Sequence, residues 1–360
     1  MLPLNVSEYE GLAESRLDHK AWDYMRGGSD DEVTLRANRE AFARIQLRPR
    51  VLVDVSHCDL STTVLGTPVG MPILIAPMGY QCLATPEGES ATARAAGAAK
   101  SLMVASTMAT RTLEETAGVA TGPLWFQLYV YKDRSISEQL VRRAEAAGYR
   151  ALVLTVDLPR IGRRERDIRN GFGLPPHLHA ANFVTHGSHE MPETEPGTSG
   201  LAAHTAAHFD ESLRWEAVAW LKGITQLPVL LKGILTAEDA ALAVQHGADG
   251  LIVSNHGGRQ LDTVPASIEA LPAVTAAVAG RVEVYMDGGI RRGTDVLKAL
   301  ALGARAVLVG RPVLWGLAVA GEAGARDVLE LLRAELELAL ALAGRPTLAS
   351  IDRSVVSAAR

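Results

Sequence analysis

The chain has 360 residues, 48% of them hydrophobic and 21% charged, and a net charge of −5. Acidic and basic residues are interspersed, so there is no basic stripe for nucleic acid and no lysine-rich block for an anionic membrane. No window reaches the roughly 18 apolar residues of a spanning helix, and "MLPLNVSEYEGLAESR" lacks the charged start and apolar run of a signal peptide, so a cytoplasmic protein is expected.

Residues 1–70 precede the first strand-like run. There "NVSEYEGLAESRLDHKAWDYMRGGS" and "SDDEVTLRANREAF" predict helices, the second opening on a serine and three acidic residues suited to a helix N-terminus. From residue 72 onward, short β-branched apolar runs alternate with longer helical patterns. The runs are 72–78, 102–106, 124–130, 151–157, 228–233, 250–255, 282–289 and 306–312. Runs that are apolar on both faces suit strands buried on both sides of a parallel sheet. Between them, segments such as "GESATARAAGAAK" and "RRGTDVLKALALGA" carry helix formers and glycine stops.

Eight strand–helix units predict an α/β fold, a (β/α)8 TIM barrel. A doubly wound open sheet is the alternative, because strand count does not show closure. Residues 1–360 are read as one domain, with 1–70 as an N-terminal helical extension and 158–210 as a lid over the barrel mouth, too long for a loop without a task. Disorder is expected in its middle, "THGSHEMPETEPGTSG". The lid histidines His177, His179, His186 and His189, with His204 and His208 nearby, are read as solvated loop residues. No cysteine accompanies them in this low-complexity stretch, so no metal site is expected. Cys58 and Cys82 lack CxxC spacing and read as packing thiols of a reducing compartment. The final "DVLELLRAELELALALAG" spaces leucines for core or interface packing.

Polar residues fall at the C-terminal ends of the runs, which in a parallel barrel open onto one face. Ser106 ends the second run, Gln127 and Tyr129 the third, Thr155 and Asp157 the fourth, and Lys232 the fifth. "SNHGGRQLD", with Ser254, His256 and Arg259, follows the sixth, "DGGIRRG" the seventh and "GRP" the eighth. Taken alone, Asn-His-Gly-Gly also suits a tight turn; its place on this rim is what points to function. Loops after strands seven and eight often hold a phosphate. Gly288, Gly289 and Gly310 would expose N–H groups there, and Arg291 and Arg311 would fork onto phosphate oxygens, although glycines at strand ends also serve as plain turns. With Lys232 and His256 across the mouth, a bound cofactor fits better than a phosphorylated substrate, because Arg259, with Arg163 and Arg164 beside Asp157, suits a carboxylate. Tyr24 and Tyr129 add hydroxyl donors.

"SNHGGRQLD", "FQLYV", "TVD", "GRRERDIRNGF", "LKGI", "DGGIRRGTDVLKALALGA" and "AVLVGRP" resemble the FMN-dependent 2-hydroxy acid oxidases and dehydrogenases, the group that includes glycolate oxidase, lactate oxidase, mandelate dehydrogenase and hydroxymandelate oxidase. The resemblance covers nearly the whole chain. It implies FMN as cofactor and oxidation of an (S)-2-hydroxy acid to the 2-oxo acid, with oxygen as the expected acceptor. His256 becomes the base, taking a proton from the hydroxyl or from the α-carbon, and Asp157 holds it. Arg259 and Arg164 grip the substrate carboxylate, helped by Tyr24 and Tyr129. For FMN it implies Ser106, Gln127 and Thr155 at the ring system, Lys232 at its N1–C2 side, Pro77, Met78 and Gly79 near N5, and Asp287 on the ribityl chain. Gly288, Gly289, Arg291, Gly310 and Arg311 surround the phosphate, and Ser254 is also counted among the cofactor residues.

Two departures from the family pattern widen the pocket. Met108 stands where glycolate-oxidising members have tryptophan, and Gly79 where many have alanine; methionine is the smaller and more adaptable side chain. The lid start looks most like hydroxymandelate oxidase and lacks the apolar insertion of membrane-bound relatives. An aromatic substrate of the mandelate or 4-hydroxymandelate type is therefore expected. A short-chain acid such as lactate or glycolate, or a different electron acceptor, is the alternative. Two further readings are a phosphate-binding isomerase barrel and a flavin-binding protein without turnover. A homotetramer is implied by the resemblance alone.

Overall fold

The computed structural model describes residues 3–187, 190–191 and 193–358. Three helices come first: α1 (Val6–Glu14), α2 (His19–Arg26) and α3 (Val33–Ala43). The first predicted helical stretch is thus two helices, parted at Asp18, whose carboxylate accepts the N–H of Lys20 at 2.9 Å and starts α2.

The start of α3 differs from the expectation in an informative way. Ser29 does not cap it. Glu32 precedes the helix in a left-handed conformation (φ 56°) with no capping bond of its own, because its carboxylate accepts from Gly28 N and Arg166. The missing acceptor comes from far along the chain. Asp262 takes the N–H of Val33 at 3.1 Å and of Thr34 at 2.7 Å. Two orphan donors of the first turn are satisfied in this way.

Eight parallel strands follow: β1 (Ile73–Ile75), β2 (Met103–Ser106), β3 (Leu124–Leu128), β4 (Leu152–Thr155), β5 (Val229–Ile234), β6 (Gly250–Val253), β7 (Glu283–Asp287) and β8 (Ala306–Val309). Each pairs with the next, and β8 pairs with β1 through Leu308 and Leu74. That last ladder closes the barrel and excludes the open sheet. The alternating faces of the strands give two cores. Leu74, Val104, Trp125, Val153, Leu230, Ile252, Tyr285 and Leu308, one from each strand, pack together inside. Val64 and Val69 of a short hairpin (Thr62–Val64, Thr67–Val69) join this cluster. The other faces pack against the surrounding helices, among them α4 (Gly88–Ala98), α5 (Leu113–Val119) and α6 (Arg134–Ala146).

The segment after β4 contains α7 (Glu165–Asn170) and, later, α8 (Gly200–His208). The described part of the stretch expected to be disordered is tied down by backbone bonds. Leu174 N donates to Met191 O, Thr194 N to Gly171 O and Gly200 N to Phe172 O, all at 3.0 Å or less. Residues 188, 189 and 192 of that expectation, including His189, lie outside the described residues. His204 corrects the solvated reading: it is buried, its Nε2 lies 3.3 Å from Tyr131 Oη, and burial pushes its pKa down to about 4. Among the described residues no three His, Cys, Asp or Glu side chains gather as metal ligands. No described helix is long and apolar enough to cross a membrane.

After α9 (Glu216–Ile224), α10 (Ala237–Gln245), α11 (Ser267–Val278) and α12 (Gly293–Ala301) comes α13 (Arg311–Ala343), and a last short strand, Val356–Ala358, pairs antiparallel with Ile45–Leu47. The backbone of α13 breaks helical geometry at Ala320 and Gly321. Beyond that kink its leucines split as the spacing predicts: Leu329, Leu332, Leu336 and Leu340 are buried, while Leu338 and Leu342 are exposed.

Candidate active site

The loop after β6 is shaped by three successive left-handed residues, His256 (φ 58°), Gly257 (φ 66°) and Gly258 (φ 74°). The two glycines are required by contact as well as by conformation. A Cβ on Gly257 would sit 2.7 Å from Arg311 Nη1, and one on Gly258 2.6 Å from Leu35 N. Ser254 Oγ steadies the turn by accepting His256 N at 3.0 Å and Lys232 Nζ at 2.9 Å.

This conformation brings His256 into a dyad. Its Nδ1 lies 2.9 Å from Asp157 Oδ1 at the end of β4, and its Nε2 lies 3.4 Å from Tyr129 Oη. Burial lowers the ring's pKa, and Lys232 and Arg164 push the same way, against the pull of Asp157. Burial alone would raise the Asp157 pKa, but His256 and Lys232 hold that carboxyl below its usual range. An ionised Asp157 accepts from Nδ1–H, which leaves the Nε2 lone pair facing the cleft and Tyr129.

Two guanidinium groups stand beside the dyad. Arg164 is buried; its Nε donates to Arg259 O at 3.3 Å and its Nη2 to Gln260 Oε1 at 3.4 Å. Burial and the neighbouring Arg259 push its pKa down to about 10, which still leaves it charged at neutral pH. Arg259 Nη1 donates to Gly27 O at 2.9 Å and also to Tyr24 O, and its guanidinium lies 4.8 Å from the Tyr24 ring centroid. Arg163 turns outward instead, 67% exposed and paired with Glu165.

The loops after β7 and β8 open onto the same cleft. Gly288 (φ 100°) and Gly289 (φ 84°) occupy backbone space closed to other residues; a Cβ on Gly289 would lie 1.9 Å from Asn38 O. Lys232 Nζ is 3.2 Å from Asp287 Oδ2. Arg291 stacks 4.7 Å from the Trp315 ring centroid, and burial lowers its pKa to about 10. Arg311 spends three donors on carbonyls: Nε on Met25, Nη1 on Gly257 and Nη2 on Gly27. It therefore fastens the N-terminal segment to the rim.

A cleft joins these groups. Of the residues expected from the sequence, Tyr24, Pro77, Met78, Gly79, Ser106, Met108, Tyr129, Thr155, Arg164, Lys232, His256 and Arg259 line it. So do Asp287, Gly288, Gly289, Arg291, Gly310 and Arg311. Three others stand one layer behind. Gln127 bonds Ser106 and Thr155, Ser254 bonds Lys232, and Asp157 bonds His256. Sequence reasoning missed the apolar wall of Leu158, Ile161, Leu201, Thr205 and Phe209. The four-residue spacing of Leu201 and Thr205 puts them on one helical face, but nothing local says that this face meets the barrel mouth.

Three cleft-lining residues carry a buried polar atom without a protein partner: Arg291 Nε, Asp287 Oδ1 and Tyr80 Oη. A guanidinium donor beside backbone N–H groups suits a phosphate, and a free carboxylate oxygen suits a hydroxyl of a sugar-like chain. The residues present therefore fit a phosphorylated cofactor with a polyol arm. A barrel whose rim combines that cradle with an imidazole–carboxylate dyad and two guanidinium groups is a cofactor-dependent enzyme.

Comparison with known proteins narrows the class. Residues 13–358 match the family described as FMN-dependent dehydrogenase. The chain is 56% identical over 350 residues to glycolate oxidase 1 of Oryza sativa subsp. indica, covering 97% of this chain and 94% of that protein. It is 54% identical over 356 residues to L-lactate oxidase of Nostoc sp., covering 98% and 97%. The crystal structure of mandelate oxidase with (S)-4-hydroxymandelic acid superposes with a TM-score of 0.94 at 46% identity, covering 99% of this chain and 98% of that one. The chain belongs to the FMN-dependent dehydrogenase family; it is an oxidoreductase and its cofactor is FMN.

Proposed function

We propose that this enzyme oxidises a 2-hydroxy acid to the 2-oxo acid, prefers an aromatic or otherwise bulky member of that class, and returns the electrons to oxygen. One observation carries the reading: His256 Nε2 faces the same cleft as the Arg164 and Arg259 guanidinium groups. A proton acceptor beside a carboxylate grip is what a 2-hydroxy acid requires.

When bound, FMN supplies the two-electron acceptor. The protein groups supply the rest. Arg164 and Arg259 bind the substrate carboxylate and fix the C2 carbon near His256 Nε2. Tyr129 and Tyr24 orient the carboxylate and hydroxyl. His256 accepts the proton at Nε2, and the Asp157 carboxylate stabilises the imidazolium that forms. Lys232, buried at the end of β5, would lie against the cofactor's ring system. Ser106, Gln127 and Thr155 would hold the cofactor's ring system, with the backbone of Pro77, Met78 and Gly79 alongside. Asp287 would hold the ribityl chain, and Gly288, Gly289, Arg291, Gly310 and Arg311 the phosphate, with Ser254 holding Lys232 in place.

Gly79 and Met108 support the bulky-substrate reading, as do the aromatic walls Tyr24, Tyr129 and Phe209. A second reading, a short-chain acid, is favoured by the higher identity to glycolate and lactate oxidases than to mandelate oxidase. The oxidase relatives support oxygen as acceptor. A cytoplasmic site, one catalytic unit spanning the chain, and a homotetramer complete the proposal. The free thiols of Cys58 and Cys82 support the first; the exposed apolar side chains Val51, Leu52, Leu338 and Leu342 support the last.

Anaerobic bleaching of the flavin band by mandelate, 4-hydroxymandelate, lactate and glycolate tests the function. Mandelates are expected to bleach with the highest kcat/KM. A strong preference for lactate or glycolate transfers the assignment to the second reading, and no bleaching by any of the four refutes both.

A further inference from the structure

The loop that carries His256 is held from outside the barrel by a pair of amides. Asn38, on α3, and Asn255, next to His256, are both buried. Each donates to the other at 2.8 Å, Asn38 Nδ2 to Asn255 Oδ1 and Asn255 Nδ2 to Asn38 Oδ1. The remaining capacity of the pair is nearly filled. Asn255 Oδ1 also accepts Gly258 N at 3.1 Å, and its second N–H goes to Pro265 O at 3.1 Å. Asn38 Oδ1 also accepts Ser267 N at 3.2 Å.

These bonds close around the three left-handed residues. The Asn255 side chain bridges their far end by holding Gly258 N, and the Asn255 carbonyl accepts the same N–H at 3.0 Å. A non-glycine residue in the left-handed region persists only where its surroundings over-determine it, and His256 is one such residue. The exchange runs both ways, because Asp262 at the end of the same loop caps α3. Asn38 O also packs on Gly289 in the loop after β7.

We propose that Asn38 is a positioning residue for His256: through Asn255 it fixes the left-handed turn that aims Nε2 into the cleft, which makes the N-terminal extension part of the active site. This rests on the reading of His256 as the base. Asparagine suits both places, since its short amide both donates and accepts in one plane. Aspartate at position 38 keeps the shape but sets an acceptor against Asn255 Oδ1.

The test uses FMN-loaded N38A, N38D, N255A, N38A/N255A and H256A. Two quantities are measured: the limiting rate of anaerobic flavin bleaching per bound FMN, and the 15N signal of the His256 imidazole, assigned by its loss in H256A. N38A and N38D are expected to slow bleaching ten- to hundredfold and to shift the His256 signal. The double variant should be no slower than N255A, because the two amides act as one unit. Bleaching within twofold of wild type and an unmoved His256 signal in N38A overturn the proposal, even if the melting temperature falls. If N38A does not fold, the nearly isosteric N38D decides by the same two readouts. Should H256A bleach normally, the base reading fails by itself, and the imidazole signal still decides whether Asn38 positions the ring.

Discussion

Gly79 packs directly on Met108: a Cβ built on Gly79 would lie 3.1 Å from the Met108 carbonyl oxygen and 3.3 Å from its Cβ. That carbonyl is fixed, since it accepts Tyr80 N at 3.0 Å. The Tyr24 hydroxyl is the third neighbour, at 3.5 Å. A methyl at position 79 must therefore displace the Met108 wall, and the space lost is in the pocket. In the G79A variant kcat/KM for mandelate is expected to fall about tenfold relative to lactate, roughly the effect of one misplaced methyl in a tight pocket. M108W should move the ratio the same way and further. Competition assays with the two acids measure it, and an unchanged ratio in both variants would remove Gly79 and Met108 from the substrate wall.

The pH dependence follows from the dyad. His256 acts as a base in its neutral form, and its folded-state pKa lies below the ordinary 6.5. The rate is therefore full above that ordinary value and is lost as pH falls through the lower, folded one. Asp157 works to raise the ring's pKa, so D157N should move the acid limb of kcat/KM to still lower pH. It should also drop the plateau by about 100-fold, because the imidazolium loses its counter-charge. A limb that moves to higher pH would contradict the arrangement.

Much of this site was legible because barrels convert chain order into position. The eight runs are apolar on both faces, so they could be found as strands, and polar residues just beyond them had to fall on one rim. What escaped depends on contacts between distant segments. Asp262 reads as the end of a motif, yet its work is at Val33 and Thr34. Asn38 sits inside an ordinary helical pattern, yet it bonds Asn255. Arg311 reads as a phosphate ligand, yet two of its donors also hold Met25 and Gly27 of the N-terminal segment and a third holds Gly257. His204 looked like one more loop histidine until α8 folded onto Tyr131. No local propensity reports such pairings.

Cofactor retention tests the orphan atoms. Arg291 Nε is buried without a protein partner, which is costly unless a ligand accepts from it. Replacing Arg291 by methionine removes a charge-assisted bond of about 1.5–3 kcal/mol, or roughly 10- to 100-fold in FMN affinity. K232M should weaken binding as well, and leave Asp287 facing a thioether in place of an ammonium. Fluorescence titration of apoprotein with FMN gives both constants. Affinity within twofold of wild type in R291M would place the phosphate elsewhere.

Asp262 offers a stability test separate from catalysis. Burial alone would raise its pKa, but the N–H groups of Thr34 and Val33 hold it below the ordinary carboxylate value. A depressed folded-state pKa means that its contribution is present above the unfolded value, near 3.9, and is lost as pH falls through the folded one. D262A removes the acceptor for the first turn of α3 and should cost about 1 kcal/mol, a fall of roughly 2 °C in Tm for a chain of this size. D262N keeps one carbonyl acceptor and should lose less. Thermal melts at pH 7 rank the three proteins, and melts near pH 3, below the unfolded value, should bring them closer together, since the unfolded carboxyl is then protonated and folding must release that proton. If the Tm gap between D262A and wild type is unchanged at the lower pH, the cap does not act through its charge.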